Sequence, residues 1–178
     1  MKSVSKLGGG EVGARLLQRR AVGLSMLAAW MLPSIATFAL ENKPQGAIKS
    51  VVGFDTSTWA ELLSRGPRPA AYVFTTTYCS TCPEVFELLH ATIMAAHRKV
   101  ELAAVVMDES GERALKHAHH YHGVTRIYAF DGFEPEIRQT VDPKWHNITP
   151  YVVLIGSKAA LHRSVGPPQP TMLKAWLA

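Results

Sequence analysis

The feature that most limits what this chain can become is an apolar, β-branched run ending in a spaced pair of thiols: Ala70-Ala71-Tyr72-Val73-Phe74-Thr75-Thr76-Thr77-Tyr78-Cys79-Ser80-Thr81-Cys82-Pro83. Cys79 and Cys82 are the only cysteines in the 178 residues. The run reads as a buried strand over 70–77. Pro83 suits a helix start, since its φ is already helical and its missing N–H would have had no partner there. The pattern predicts a strand that delivers Cys79 to the first turn of a helix. Unpaired amides and the positive end of the helix dipole favour thiolate at such a place. Two intervening residues let the second thiol attack a mixed disulfide formed by the first. The stretch therefore predicts a dithiol–disulfide exchange site.

The flanking segments alternate in type. Val51–Phe54 reads as a short strand, and Asp55–Thr58 supplies caps, with Thr58-Trp59-Ala60-Glu61 fitting a capping box. That helix runs to about Ser64 and stops at Arg65-Gly66-Pro67. Pro83 to about His97 is the main helix, with Val85, Phe86, Leu88, Leu89, Ile93 and Ala96 on one apolar stripe. Val100–Met107 is apolar without alternation, as in a strand covered on both faces. A helix from Ser110 to about Tyr121 closes at Gly123. Arg126–Phe130 reads as a strand, Glu134–Thr140 as a helix, and Tyr151–Ile155 as a strand. Gly156-Ser157-Lys158 turns the chain into a hairpin strand over 159–165, and Thr171–Leu177 forms a last helix. The order β-α-β-α-β-α-β-α-β-β-α predicts an α/β fold with an antiparallel hairpin at its end.

Charge divides the chain. The net charge is +5, yet residues 1–39 hold Lys2, Lys6, Arg15, Arg19 and Arg20 against the single acid Glu11, which leaves the remainder almost neutral. No basic patch argues for nucleic acid. A basic region ending at Arg19-Arg20, an uncharged run from Ala21 to Leu40, and small residues around Ala36 and Ala39 have the layout of an export signal. The run is also long enough to remain as a membrane anchor. Arg19-Arg20 raises the twin-arginine export route beside the general one. The expected organisation is a signal peptide or anchor over 1–39, a polar linker over 40–50, and one domain over 51–178. Export places that domain in the periplasm, where disulfides persist.

The chain from about residue 50 onward resembles the thioredoxin superfamily. The resemblance rests on the strand–Cys79-Ser80-Thr81-Cys82-Pro83–helix unit, on Ile148-Thr149-Pro150 before an apolar strand, and on the hairpin ending at Val165-Gly166. The strand and helix at 126–141 look like the insertion of the TlpA-like branch, exported or membrane-tethered thiol reductants. Tyr78 departs from the tryptophan usual before the first cysteine, and Ser80-Thr81 differs from the usual intervening pairs. The resemblance implies a central mixed sheet flanked by helices and protein-disulfide oxidoreductase activity. Cys79 would be the nucleophile and Cys82 the resolving thiol. Thr149 and a cis Pro150 would bind the substrate chain. No cofactor is implied beyond the redox-active pair. The implied partners are a disulfide-containing exported protein and a membrane electron donor.

Three other groups of side chains could carry chemistry. His117, His119, His120 and His122 fall near a helix end; pairs 117/120 and 119/122 share a face, but the four do not converge, so a solvated helix end competes with metal binding. His146 stands before the Thr-Pro strand. Copper-delivery proteins of the Sco type use a cysteine pair with such a histidine, which makes Cys79, Cys82 and His146 a copper site as an alternative reading. Glu84 and Glu87 read as solvated acids at a helix start.

Overall fold

The protein is described here by a computed structural model covering residues 48–178. The leader expected over 1–39 and most of the linker lie outside the described residues, and 48–50 carry no regular structure.

The elements follow the expected order: β1 (Val51–Phe54), α1 (Thr58–Arg65), β2 (Ala70–Thr75), α2 (Cys82–Ala95), β3 (Glu101–Val106), α3 (Gly111–Lys116), a 3-10 turn (Ala118–His120), β4 (Arg126–Phe130), α4 (Glu134–Val141), β5 (Tyr151–Ile155), β6 (Leu161–Val165) and α5 (Pro170–Trp176). They form one six-stranded sheet in the order β1-β4-β3-β2-β5-β6. The first four positions are parallel, and β5 and β6 run antiparallel as the hairpin. The fold is thus the mixed sheet flanked by helices that the sequence led us to expect.

β2 lies at the centre and is buried along its whole length. Its alternate residues serve two cores. Ala71 and Val73 join Val85, Phe86 and Leu89 of α2, Ala114 of α3 and Trp176 of α5. Ala70, Tyr72 and Phe74 join Phe54, Trp59 of α1, Ile137 of α4 and Trp145. A strand apolar on both sides is what a sheet covered on both faces requires. The indole N–H of Trp176 is shared between the carbonyls of Ala70 and Ile155, each at 3.1 Å, tying α5 to two strands.

Three local expectations are corrected. The strand expected over 70–77 ends at Thr75, because Asp108 draws Thr77 out of the ladder: its carboxylate accepts from the Thr77 amide at 3.0 Å and from the hydroxyl at 2.6 Å. The capping box does not form. Asp55 Oδ1 accepts from the amides of Ser57 and Thr58 and from both hydroxyls instead, and Glu61 N–H goes to Ser57. The helix expected from Ser110 to Tyr121 breaks at His117. There the bonds tighten to a three-residue spacing, from His117 N–H to Ala114 and from His120 N–H to His117. The tighter turn seats Tyr121 against Phe86, ring centres 5.1 Å apart. Gly123 ends the segment with φ at +74°, where a Cβ would also run into the ring of His90.

Candidate active site

Cys79 and Cys82 are joined by a disulfide, with Cα atoms 5.5 Å apart. The geometry modifies one expectation: Cys79 does not occupy the first turn of α2. It lies in the preceding turn, its amide donating to Thr76 O and its carbonyl accepting from the Cys82 amide. Cys82 is the first helical residue and Pro83 the second. The bond nevertheless holds the Cys79 sulfur against the start of α2. Thr81, at the cap position, makes no side-chain cap bond, so the first amides of α2 are not taken by a carboxylate or hydroxyl there. Its hydroxyl lies 3.9 Å from the Cys79 sulfur. Amides and dipole at that end favour a thiolate once the pair is reduced.

The two sulfurs differ in access. Cys82 is 1% exposed and packs among Val85, Phe86 and Leu89. Cys79 is half-buried, and its neighbour Tyr78 is 79% exposed. Cys79 is therefore the more accessible of the two sulfurs, and Cys82 is shut into the core.

Thr149–Pro150 has a cis peptide bond, and so does Arg68–Pro69, which the sequence did not single out. The pairing of Phe74 with Tyr151 carries Pro150 to the end of the sheet where β2 runs out towards Cys79. The Pro150 carbonyl accepts from Gly166 N–H at 2.8 Å. The loop before it is braced from the second core. Trp145 stacks on Tyr151 at 4.4 Å and donates from its indole to Ile148 O at 3.0 Å. Arg138 donates to the Trp145 carbonyl, and Tyr151 donates to Asp142, each at 2.5 Å. Burial and that bond to Asp142 push the Tyr151 hydroxyl upward, and the Asp142 carboxyl is held low by Tyr151, the Lys144 amide and Arg163, against the cost of its burial.

The remaining candidates disperse. His146 is exposed and lines a groove with Asp142, Lys144, Ile148 and Arg163, whereas Cys79 and Cys82 line another cleft. His119 and His120 sit with ring centres 3.9 Å apart, but His122 turns instead to His90 at 4.7 Å, where burial and the neighbouring ring lower the His90 pKa. Among the described residues no group of three His, Cys, Asp or Glu side chains is placed to hold a metal ion. Glu84 and Glu87 are exposed on α2.

Sequence reasoning missed Asp108 and Trp145, which shape the two segments of the site. Asp108 follows an apolar strand directly, and an acid at the mouth of a strand was the available signal. Nothing in the spacing of Trp145 marks it.

No family model matches the chain, and no curated protein does. Among solved structures it is similar to a thioredoxin-related protein from Neisseria meningitidis serogroup B, with 14% identity over 72% of this chain and 95% of that one, at a TM-score of 0.48. It is similar also to a thiol:disulfide interchange protein of the thioredoxin family from Chlorobium tepidum, with 15% identity over 62% and 81%, TM-score 0.46. A secreted Mycobacterium tuberculosis disulfide oxidoreductase homologous to E. coli DsbE matches with 14% identity over 61% and 76%, TM-score 0.41. The resemblance to the thioredoxin superfamily stands on this chain's own topology: a strand, a bonded cysteine pair at a helix start, and a Thr-Pro before the hairpin.

Proposed function

We propose that the protein is an exported thiol–disulfide oxidoreductase that reduces disulfides in partner proteins through Cys79 and Cys82. The observation that carries the reading is the bonded pair at the start of α2, with one sulfur accessible and the other buried. In the reduced protein the Cys79 thiolate attacks one sulfur of a partner disulfide. That bond breaks, and the partner's second sulfur leaves as thiolate and takes a proton. Cys82, having released its own proton, attacks the Cys79 sulfur and frees the partner's first sulfur as a thiol. The partner gains two electrons and two protons, and the Cys79–Cys82 bond is restored. A dithiol donor at the membrane would recharge the pair, which itself carries the electrons without a further cofactor. Thr149 and Pro150, at the same end of the sheet, would align the partner's backbone. Export rests on the leader over 1–39, and among the described residues no helix is long and apolar enough to cross a membrane.

The test is a protein-disulfide reduction assay on the wild type and on Cys79→Ser. The variant is expected to lose all turnover; equal rates in the two would end the proposal. Equilibration of the pair with glutathione then sets the direction, since a reductant requires a potential below that of its partner's disulfide.

A further inference from the structure

The loop that leads into Thr149 and Pro150 borders a groove of about 260 Å³, which shares no residue with the cleft at the cysteine pair. Ile148, the residue before Thr149, lines it, and so does Val165 of β6, which pairs with Tyr151. Ile148 is 54% exposed and Val165 56% exposed, two of the few large apolar side chains that the described residues leave open to water. The buried, stacked rings of Trp145 and Tyr151 also line the groove and hold that part of it firmly. Its charged side chains do not balance. Lys144 is exposed, and Arg163 meets Asp142 through Nε at 3.5 Å. Asp142 is the more recessed of that pair, its side chain 18% exposed against 36% for Arg163, and it also accepts from the Tyr151 hydroxyl and the Lys144 amide. In the lining of the groove one recessed carboxylate thus stands against two cations nearer to solvent.

We propose that this groove docks the segment of the partner protein that flanks its disulfide, and that it selects a segment carrying an acidic side chain beside an apolar one. The assignment rests on the oxidoreductase reading and names the kind of partner that the site selects. Two observations commit the groove to that occupant. The first is continuity. Ile148 is joined directly to Thr149, and the bond from Gly166 N–H to the Pro150 carbonyl holds Val165 beside the same loop, so a chain lying along Thr149 and Pro150 is one residue away from the groove. The second is charge complementarity. The excess of positive charge draws an acid and opposes a lysine or arginine, and at a partly exposed rim that attraction acts mainly on the rate of encounter. An apolar neighbour packs on Ile148 and Val165 and removes their side chains from water. A second copy of this chain, meeting the groove through the same surface, would set cations against cations.

The experiment measures kcat/KM for reduction of disulfide-bonded peptides that differ at one position, Glu, Ser or Lys, with Leu or Ser beside it. The position lies about two to four residues before or after the cysteine, a reach of roughly 7–14 Å in extended chain. At low ionic strength the wild type should reduce the Glu peptide about fivefold faster than the Lys peptide in one of these placements, with Ser between them, the size expected of partly exposed charge pairs. Raising the salt to about 0.5 M should shrink that ratio towards one, because exposed charges are screened. In Lys144→Glu the Glu-to-Lys ratio should fall to one or invert; a ratio taken within one variant cancels any loss of folded protein. In Val165→Ser the advantage of Leu over Ser beside the acid should disappear while the Glu-to-Lys ratio is kept. Equal rates on the Glu and Lys peptides at every placement, a preference for Lys, or a ratio that neither salt nor Lys144→Glu changes would overturn the assignment. A wild-type dimer in sedimentation that Lys144→Glu dissolves would give the groove to a second copy and overturn it as well. Failure to reduce any peptide would instead bring down the oxidoreductase reading beneath it.

Discussion

On one face of the sheet β2 presents Ala71 and Val73, and on the other Ala70, Tyr72 and Phe74. The first face is small and aliphatic, with Ala104 and Ala129 beside it, and it receives α2 closely. The second is aromatic: Phe74 meets Phe54, Trp59, Phe130, Trp145 and Tyr151, with ring centres between 5.0 and 6.3 Å. The two faces hold the two halves of the candidate site by different means. Small side chains let a regular helix settle onto the strands, which fixes the cysteine pair. Broad rings with edge and stacking contacts hold irregular chain, which fixes the Trp145-to-Pro150 loop. Regular structure needs little beyond a fitting surface, whereas a loop needs directed contacts and bonds to its own backbone.

The comparison is broken or upheld most strongly at neighbouring residues of β2. Phe74→Ala removes five ring contacts and is expected to cost about 3–5 kcal/mol of stability. Val73→Ala, one residue away on the other face, removes two methyl groups and should cost about 1.5–2.5 kcal/mol. Denaturant unfolding of both variants checks the difference; equal losses would mean that the two cores are not distinct in kind.

A smaller effect separates packing from hydrogen bonding on the aromatic face. Trp145→Phe keeps a ring on Tyr151 and removes the donor to Ile148 O. The expected cost is about 1 kcal/mol, since water can take over part of the bond at the exposed Ile148. Reduction of protein disulfides should slow more than reduction of a small disulfide, because the loop before Pro150 loses its tether. Equal slowing of both would detach Trp145 from substrate alignment.

How much of this was legible beforehand follows the same division. The aliphatic side was readable in outline: Ala70 to Thr75 followed by Cys79-x-x-Cys82-Pro83 fixes a strand and a helix start through local preferences, whereas the turn that holds Cys79 between them was not read. The loop side was readable only as Thr149-Pro150. Trp145 looks like any buried ring in sequence, and its bond to Ile148 depends on Tyr151 arriving beneath it through pairing with Phe74. The same holds for Asp108, which meets Thr77 across 31 positions of sequence. The broken helix at His117 escaped for another reason: its residues allow a continuous helix, and the demand of Tyr121 for a place beside Phe86 is tertiary.

The smallest expected effect lies at the helix starts of the two faces. α1, on the aromatic side, has its first amides tied to Asp55, whereas Thr81 at the start of α2 makes no such bond. The Asp55 carboxyl is lowered from 3.8 to about 2, chiefly by the Ser57 hydroxyl, then by the Thr58 hydroxyl and both amides. A carboxylate whose folded pKa is depressed adds stability above its unfolded pKa and loses it as pH falls through the folded value. The contribution should therefore be complete above about pH 4 and fade towards about pH 2. Asp55→Asn, which cannot titrate, should be less stable than the wild type by a constant amount above about pH 4, and the gap should close as acid is added. Unfolding midpoints measured across that window provide the check. A gap that persists to the acid end would show that Asp55 acts by shape and not by charge, and the contrast between a helix start held by an acid and one left to a thiolate would lose its electrostatic basis.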